Sequence, residues 1–112
     1  MSNFDFFSGL DYSKGSLMDW IKQMRENLVL PAEAKYQPYE EHSNSLSYGD
    51  LIRITEILEE DEHYGILCEI RKGRRKFVVP MAELEINDRK HPNYKLVEEY
   101  NTYFSSQLRH FI

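Results

Sequence analysis

Two charged clusters carry the chemistry that can be read from this chain. Glu59-Glu60-Asp61-Glu62 is a run of four carboxylates, with Glu56 shortly before it and His63 directly after. Carboxylate oxygens are the ligands that Ca²⁺ prefers, and the ion gathers about 6–8 oxygens in all. The run is not an EF-hand, which needs alternating ligands, a central glycine and a terminal glutamate. On an extended backbone Glu59 and Asp61 point one way, and Glu60 and Glu62 the other. Only a curled turn converges three of them, with backbone carbonyls and water completing the shell. From the residues alone the run reads first as a solvated charged face, and as a cation site only if it curls.

The second cluster, Arg71-Lys72-Gly73-Arg74-Arg75-Lys76, holds five cations in six residues. Phosphates of RNA or DNA are one target for such a cluster. No aromatic residues are interleaved with it, and the chain is acidic as a whole, so nucleic acid is disfavoured. A solvated hairpin tip is the simpler reading.

Other chemistry finds little support. The histidines His42, His63, His91 and His110 fall in polar stretches or near the chain end, none at zinc-ligand spacing from another or from Cys68. Cys68 lies between Ile66 and Ile70 in an alternating stretch, which makes it a small core residue rather than a nucleophile. There is no Gly-rich phosphate loop and no nucleophile elbow. No residue stands out as catalytic, and the expectation is that this is not an enzyme.

The elements that must position the clusters follow from periodicity. Leu51–Leu58, Tyr64–Arg71 and Lys76–Val79 read as three strands of a meander, with the acidic and basic clusters as its two turns. Ile52 and Ile54 share a face, as do Ile66, Cys68 and Ile70, and Phe77 and Val79. Near Thr55–Leu58 the alternation falters, which predicts a bulge or bend that resets the face. If Tyr64–Arg71 is one strand, it separates the two turns by ~20–25 Å at ~3.3 Å per residue. That exceeds the ~8 Å screening length, so the turns do not neutralise each other.

Ser16 opens a helix over 16–28, with Leu17, Trp20, Ile21, Met24 and Leu28 as its apolar stripe. The stripe packs on the sheet in the simpler reading, and is a partner groove in the sharper one. Leu30-Pro31 follows the helix, since proline disfavours helical geometry in the residue before it. Ala32, Ala34 and Tyr36 make a short half-buried strand, which Pro38 confines to an edge or ends. Pro80 stops the third meander strand. Met81-Ala82-Glu83-Leu84 makes one helical turn, and Glu85-Ile86 resumes as a strand. Asn93 caps a C-terminal helix over 93–109, striped by Leu96, Val97, Tyr100, Tyr103, Phe104 and Leu108. An arm over 1–14 carries Phe4, Phe6 and Phe7. The expected class is α+β, a small SH3-like antiparallel β-barrel over 32–86 flanked by the two helices, within a single domain spanning 1–112.

Bulk properties agree. At 112 residues and 41% hydrophobic, the chain has enough apolar surface for one compact core. The net charge of −5 suits cationic partners better than nucleic acid. A single cysteine rules out an intramolecular disulfide and fits a reducing compartment. The first residues lack a basic, apolar leader pattern, and no stretch approaches the ~20 apolar residues of a membrane span. A cytoplasmic location with no membrane partner is expected.

Several stretches carry a family resemblance. Trp20–Leu28 followed by Leu30-Pro31-Ala32-Glu33-Ala34 resembles the amphipathic helix and proline-marked exit of the cyanobacterial calcium-binding protein family. Ser45-Leu46-Ser47-Tyr48-Gly49-Asp50-Leu51-Ile52 resembles that family's lead into the sheet, and Glu60-Asp61-Glu62 its acidic turn. Val78-Val79-Pro80-Met81-Ala82-Glu83-Leu84-Glu85 is similar to its most recognisable segment. The likeness spans roughly Trp20–Glu85. It departs at Asn44-Ser45-Leu46, which lacks a proline before the leucine, and at His63, where the family often has cysteine.

The resemblance implies a small acidic domain that binds Ca²⁺ without an EF-hand, for buffering or signalling. By position it implies Glu60, Asp61 and Glu62 as ligands, with Glu59 a further carboxylate supplied by this sequence. Asp50, or Glu40 and Glu41, are candidates to join them. The alternative is a non-metal interaction module that docks a protein or RNA through the barrel face or the basic turn at Arg74 and Arg75.

Overall fold

The computed structural model describes residues 16–38 and 45–109. Their order is helix α1 (Ser16–Asn27), strands β1 (Ala32–Tyr36), β2 (Leu51–Asp61), β3 (Gly65–Lys72) and β4 (Arg75–Pro80), a 3₁₀ turn (Met81–Glu83), β5 (Leu84–Ile86) and helix α2 (Pro92–Arg109). The expected positions of Phe4, Phe6, Phe7, Glu40, Glu41, His42 and His110 lie outside the described residues. So do the side chains of Ser16 and Leu108.

The five strands form one antiparallel sheet in the order β4-β3-β2-β1-β5. The α+β class holds. The expected barrel does not form as a closed cylinder, because β4 and β5 stand at opposite edges of the sheet. Of the two options left by Pro38, an edge position or the end of the strand, the second holds: β1 is interior, paired to β2 on one side and β5 on the other, and stops at Tyr36. Pro38 lies past its end, where its missing N–H breaks no ladder bond.

One face of the sheet is the core. Ala32, Ala34 and Tyr36 alternate with exposed Glu33 and Lys35, so β1 shows strict period-two burial. β2 follows the same rule through Ile52 and Ile54, then buries Ile57. Between those isoleucines the register with β3 slips, because the step Ile54 to Glu56 is matched by Ile70 to Glu69 alone. That bulge changes parity and returns Ile57 to the core, as the faltering alternation predicts. The Thr55 hydroxyl at the bulge hydrogen-bonds the Glu69 carboxylate at 2.7 Å.

Both helices cover the core face. The α1 stripe of Trp20, Ile21 and Met24 is buried, and Leu17 packs against it, so the simpler reading of that stripe holds. Trp20 meets Tyr100 edge-on, with ring centroids 5.8 Å apart, and lies 5.6 Å from the ring of Tyr103. Val97, Tyr100 and Phe104 form the buried side of α2. Each large side chain fully buried in this way contributes ~1.5–3 kcal/mol.

The start of α2 differs from expectation. His91 caps it, its Nδ1 accepting the Asn93 N–H at 3.0 Å. Asn93 is buried and turned toward Val29 instead: Oδ1 accepts the Val29 N–H at 2.9 Å, and Nδ2 donates to the Val29 carbonyl at 2.8 Å. A helix cap was the local option for this asparagine. The backbone N–H and carbonyl of Val29, a donor and an acceptor left open past the end of α1, took it.

Candidate metal centre

The acidic run sits at the far end of the β2–β3 hairpin. β2 continues to Asp61, three residues beyond the expected strand end at Leu58, so Glu59, Glu60 and Asp61 belong to the strand. The turn itself is Glu62-His63-Tyr64. A second bulge makes the extension possible, since Ile57 to Glu60 is matched against Cys68 to Ile66 with one extra residue on β2. Beyond it Glu60 stands opposite Ile66, and Asp61 opposite Gly65. Neighbours on a strand face opposite ways, so Glu60 and Asp61 leave the ladder on different faces.

Glu59, Glu60 and Glu62 are exposed, and Asp61 is half-buried. Asp61 closes the turn. Its Oδ1 accepts the N–H of His63 at 2.7 Å and of Tyr64 at 3.0 Å, the self-capping expected of aspartate in a turn. The His63 bond, followed by that from Tyr64, holds the Asp61 carboxyl below the usual carboxylate range. An ionised Asp61 with one oxygen committed to the backbone retains the other for a ligand.

The hairpin is anchored from behind. Gly65 has φ of +73°, and a Cβ there would run into the Tyr100 hydroxyl and the Phe104 ring. That hydroxyl accepts the Ile66 N–H at 2.9 Å. From α1, the Arg25 guanidinium donates to the Leu58 carbonyl at 3.1 Å, one residue before the acidic run. Arg25 brings a positive charge to the rim of the acidic end. Sequence reasoning could not find it, because the contact spans 33 positions and leaves no local pattern.

The other sequence candidates are elsewhere. Asp50 lies just before β2, roughly 30 Å from Glu60 along the strand at ~3.3 Å per residue. It pairs there with Lys72, Nζ to Oδ2 2.7 Å, and accepts the Ser47 N–H at 2.9 Å. Lys72 first, then the Ser47 amide, lowers its pKa from the ordinary value. Asp50 therefore neutralises part of the basic turn and does not reach the acidic one. Cys68 is fully buried, and burial pushes its thiol up to about 12, as expected of an inert core cysteine.

Among the described residues, no three His, Cys, Asp or Glu side chains converge as a ready-made metal shell. The donor chemistry of the acidic end nonetheless suits a hard, oxygen-seeking cation, with exposed carboxylates and turn carbonyls on a short stretch. Glu59, Glu60, Asp61 and Glu62 are the residues there that would hold Ca²⁺, each carboxylate adding negative charge and oxygen donors.

The fold and this end define the class as a small α+β domain with a carboxylate-rich hairpin. A family model described as calcium binding matches residues 10–104. The chain belongs to that family, the calcium-binding CcbP family, as the resemblance over Trp20–Glu85 implied. It is a calcium-binding protein with Ca²⁺ as its partner ion, in a family described by that binding and not by catalysis. A solved structure, CcbP of Anabaena, is similar in fold, with a TM-score of 0.61 at 13% identity over 81% of this chain and 74% of that one. No curated protein matches the sequence. Among the described residues, no helix is long and apolar enough to cross a membrane.

Proposed function

We propose that Ca²⁺ binds at the end of the β2–β3 hairpin through Glu59, Glu60, Asp61 and Glu62, without an EF-hand, in a buffering or signalling role. The observation that carries the reading is electrostatic. Three exposed glutamates stand beside an ionised Asp61, and none of the four has an ion pair among the described residues. Repulsion among them is relieved by a cation. Exposed ligands that must be gathered by the ion imply weak to moderate affinity, since ordering each long side chain costs free energy.

The same reading places the chain in the cytoplasm as a single domain, in keeping with a lone cysteine that is buried and has no disulfide partner. A meander followed by a one-turn helix and a last strand that returns beside β1 supports describing the sheet as SH3-like, left open between β4 and β5.

A Ca²⁺ titration followed by amide NMR tests the site. The expected result is saturable shifts at residues 59–63 that are lost in Glu60→Gln and weakened in Asp61→Asn. Saturable shifts confined to another part of the chain would reject this ligand set while leaving calcium binding intact. Calorimetry with no heat of binding at millimolar Ca²⁺ would reject both.

A further inference from the structure

The sheet face opposite the core carries a row of cations that the acidic end does not explain. In the ladder Arg53 stands directly opposite Arg71, and Arg71 directly opposite Lys76. Three positive side chains thus lie side by side across β2, β3 and β4, all exposed, spanning ~10 Å at the ~4.8 Å strand spacing. Like charges placed directly opposite destabilise a sheet. The ends of the row are partly compensated, Arg53 by Glu33 at 3.1 Å and Lys76 by Glu69 at 3.9 Å. The Arg71 side chain, in the middle, has neither a hydrogen bond nor an ion pair among the described residues. A chain with 19 acidic and 14 basic residues has carboxylates enough to relieve it, yet keeps the repulsion concentrated at one place.

The same face exposes apolar side chains at Leu51, 64% accessible, and Val78, 60% accessible. Leu51 is two residues from Arg53 on β2, and Val78 two residues from Lys76 on β4, so they flank the cationic row. We propose that this row is a docking site for an acidic, partly apolar segment of a partner protein, with a carboxylate of that segment seated on Arg71.

Arginine suits the role, because its planar guanidinium grips a carboxylate through two parallel hydrogen bonds. A central arginine with apolar neighbours and a charged rim is also the usual composition of an interface hot spot. A nucleic acid fits less well. Glu33 and Glu69 border the row, and Glu56 stands opposite Glu69, so a continuous phosphate chain would cross carboxylates on leaving a ~10 Å footprint. An acidic peptide needs to place only one or two carboxylates there, and can set its apolar residues on Leu51 and Val78.

Fluorescence anisotropy at physiological salt tests the proposal, with a labelled synthetic peptide of alternating Glu and Leu as the probe. Arg71→Gln should weaken binding at least about tenfold, Arg53→Gln should weaken it in the same direction, and Arg71→Lys should restore part of the loss. Arg74→Gln, which changes net charge equally at the hairpin tip, should change it by less than about threefold. Equal losses in Arg71→Gln and Arg74→Gln would reduce the effect to net charge and overturn the site. No binding by the wild-type protein would overturn it too. Tighter binding of a labelled single-stranded RNA than of the peptide, lost in Arg71→Gln, would replace the acidic segment with nucleic acid.

Discussion

The hydroxyl of Tyr100 accepts the backbone N–H of Ile66 at 2.9 Å inside the core, joining the middle of α2 to the start of β3. This bond lies directly behind the acidic hairpin, so the C-terminal helix sets where the candidate ligands stand. Gly65 makes the approach possible, since only a residue without a Cβ fits beneath Tyr100 and Phe104.

Removing that hydroxyl leaves a buried N–H without its partner. Tyr100→Phe should therefore destabilise the protein by ~1–3 kcal/mol in urea unfolding. Gly65→Ala should cost more than ~1 kcal/mol, since its positive φ and the blocked space act together. Gly73→Ala, also at positive φ but with open space around it, should cost less than Gly65→Ala. Equal costs at the two glycines would show that packing against Tyr100 contributes nothing.

Asn93 supplies a second test of a long-range polar contact. Asn93→Ala abandons both the N–H and the carbonyl of Val29, and should cost ~1–3 kcal/mol. Asn93→Asp keeps the acceptor but turns a carboxylate toward the Val29 carbonyl, so it should be no more stable than the alanine variant near neutral pH. An aspartate variant as stable as wild type would mean that the Nδ2 bond is dispensable.

Asp61 links stability to pH. Its carboxyl and that of Asp50 are held below their ordinary value near ~3.9, so both favour the folded state when ionised. The sign follows from linkage: this stabilisation is present above the unfolded pKa and is lost as pH falls through the lowered folded value. The melting temperature should fall as pH drops below ~4, with a shallower fall in Asp61→Asn, which keeps an acceptor oxygen for the turn but has no charge to titrate. Asp61→Ala should melt lower than Asp61→Asn at neutral pH, and both should bind Ca²⁺ less tightly than wild type. A pH profile of Asp61→Asn that overlays the wild type would remove Asp61 from the account.

The elements of this protein were legible because their signals are local. The stripe from Leu17 to Leu28, the alternation of Ala32, Ala34 and Tyr36, the glycine at position 73 and the proline at 80 each act within a few residues, through helix pitch, strand pleat or a restricted φ. The bulge near Thr55 was legible for the same reason, since a hydrophobic face can be kept only by a change of parity. What the acidic run consists of, and the family it belongs to, were also readable along the chain.

Its shape was not. That Glu59, Glu60 and Asp61 continue β2, with the turn delayed to Glu62, depends on a second bulge and on pairing with Gly65 and Ile66, whose seat is fixed by Tyr100 some 34 positions away. Asp50 joins Lys72 and leaves the acidic end, Asn93 clamps Val29 and leaves the cap to His91, and Arg53, Arg71 and Lys76 fall into one row, all for one reason. Composition and period determine which residues face the core, whereas register between distant strands determines which charges become neighbours. Only the tertiary structure decides that.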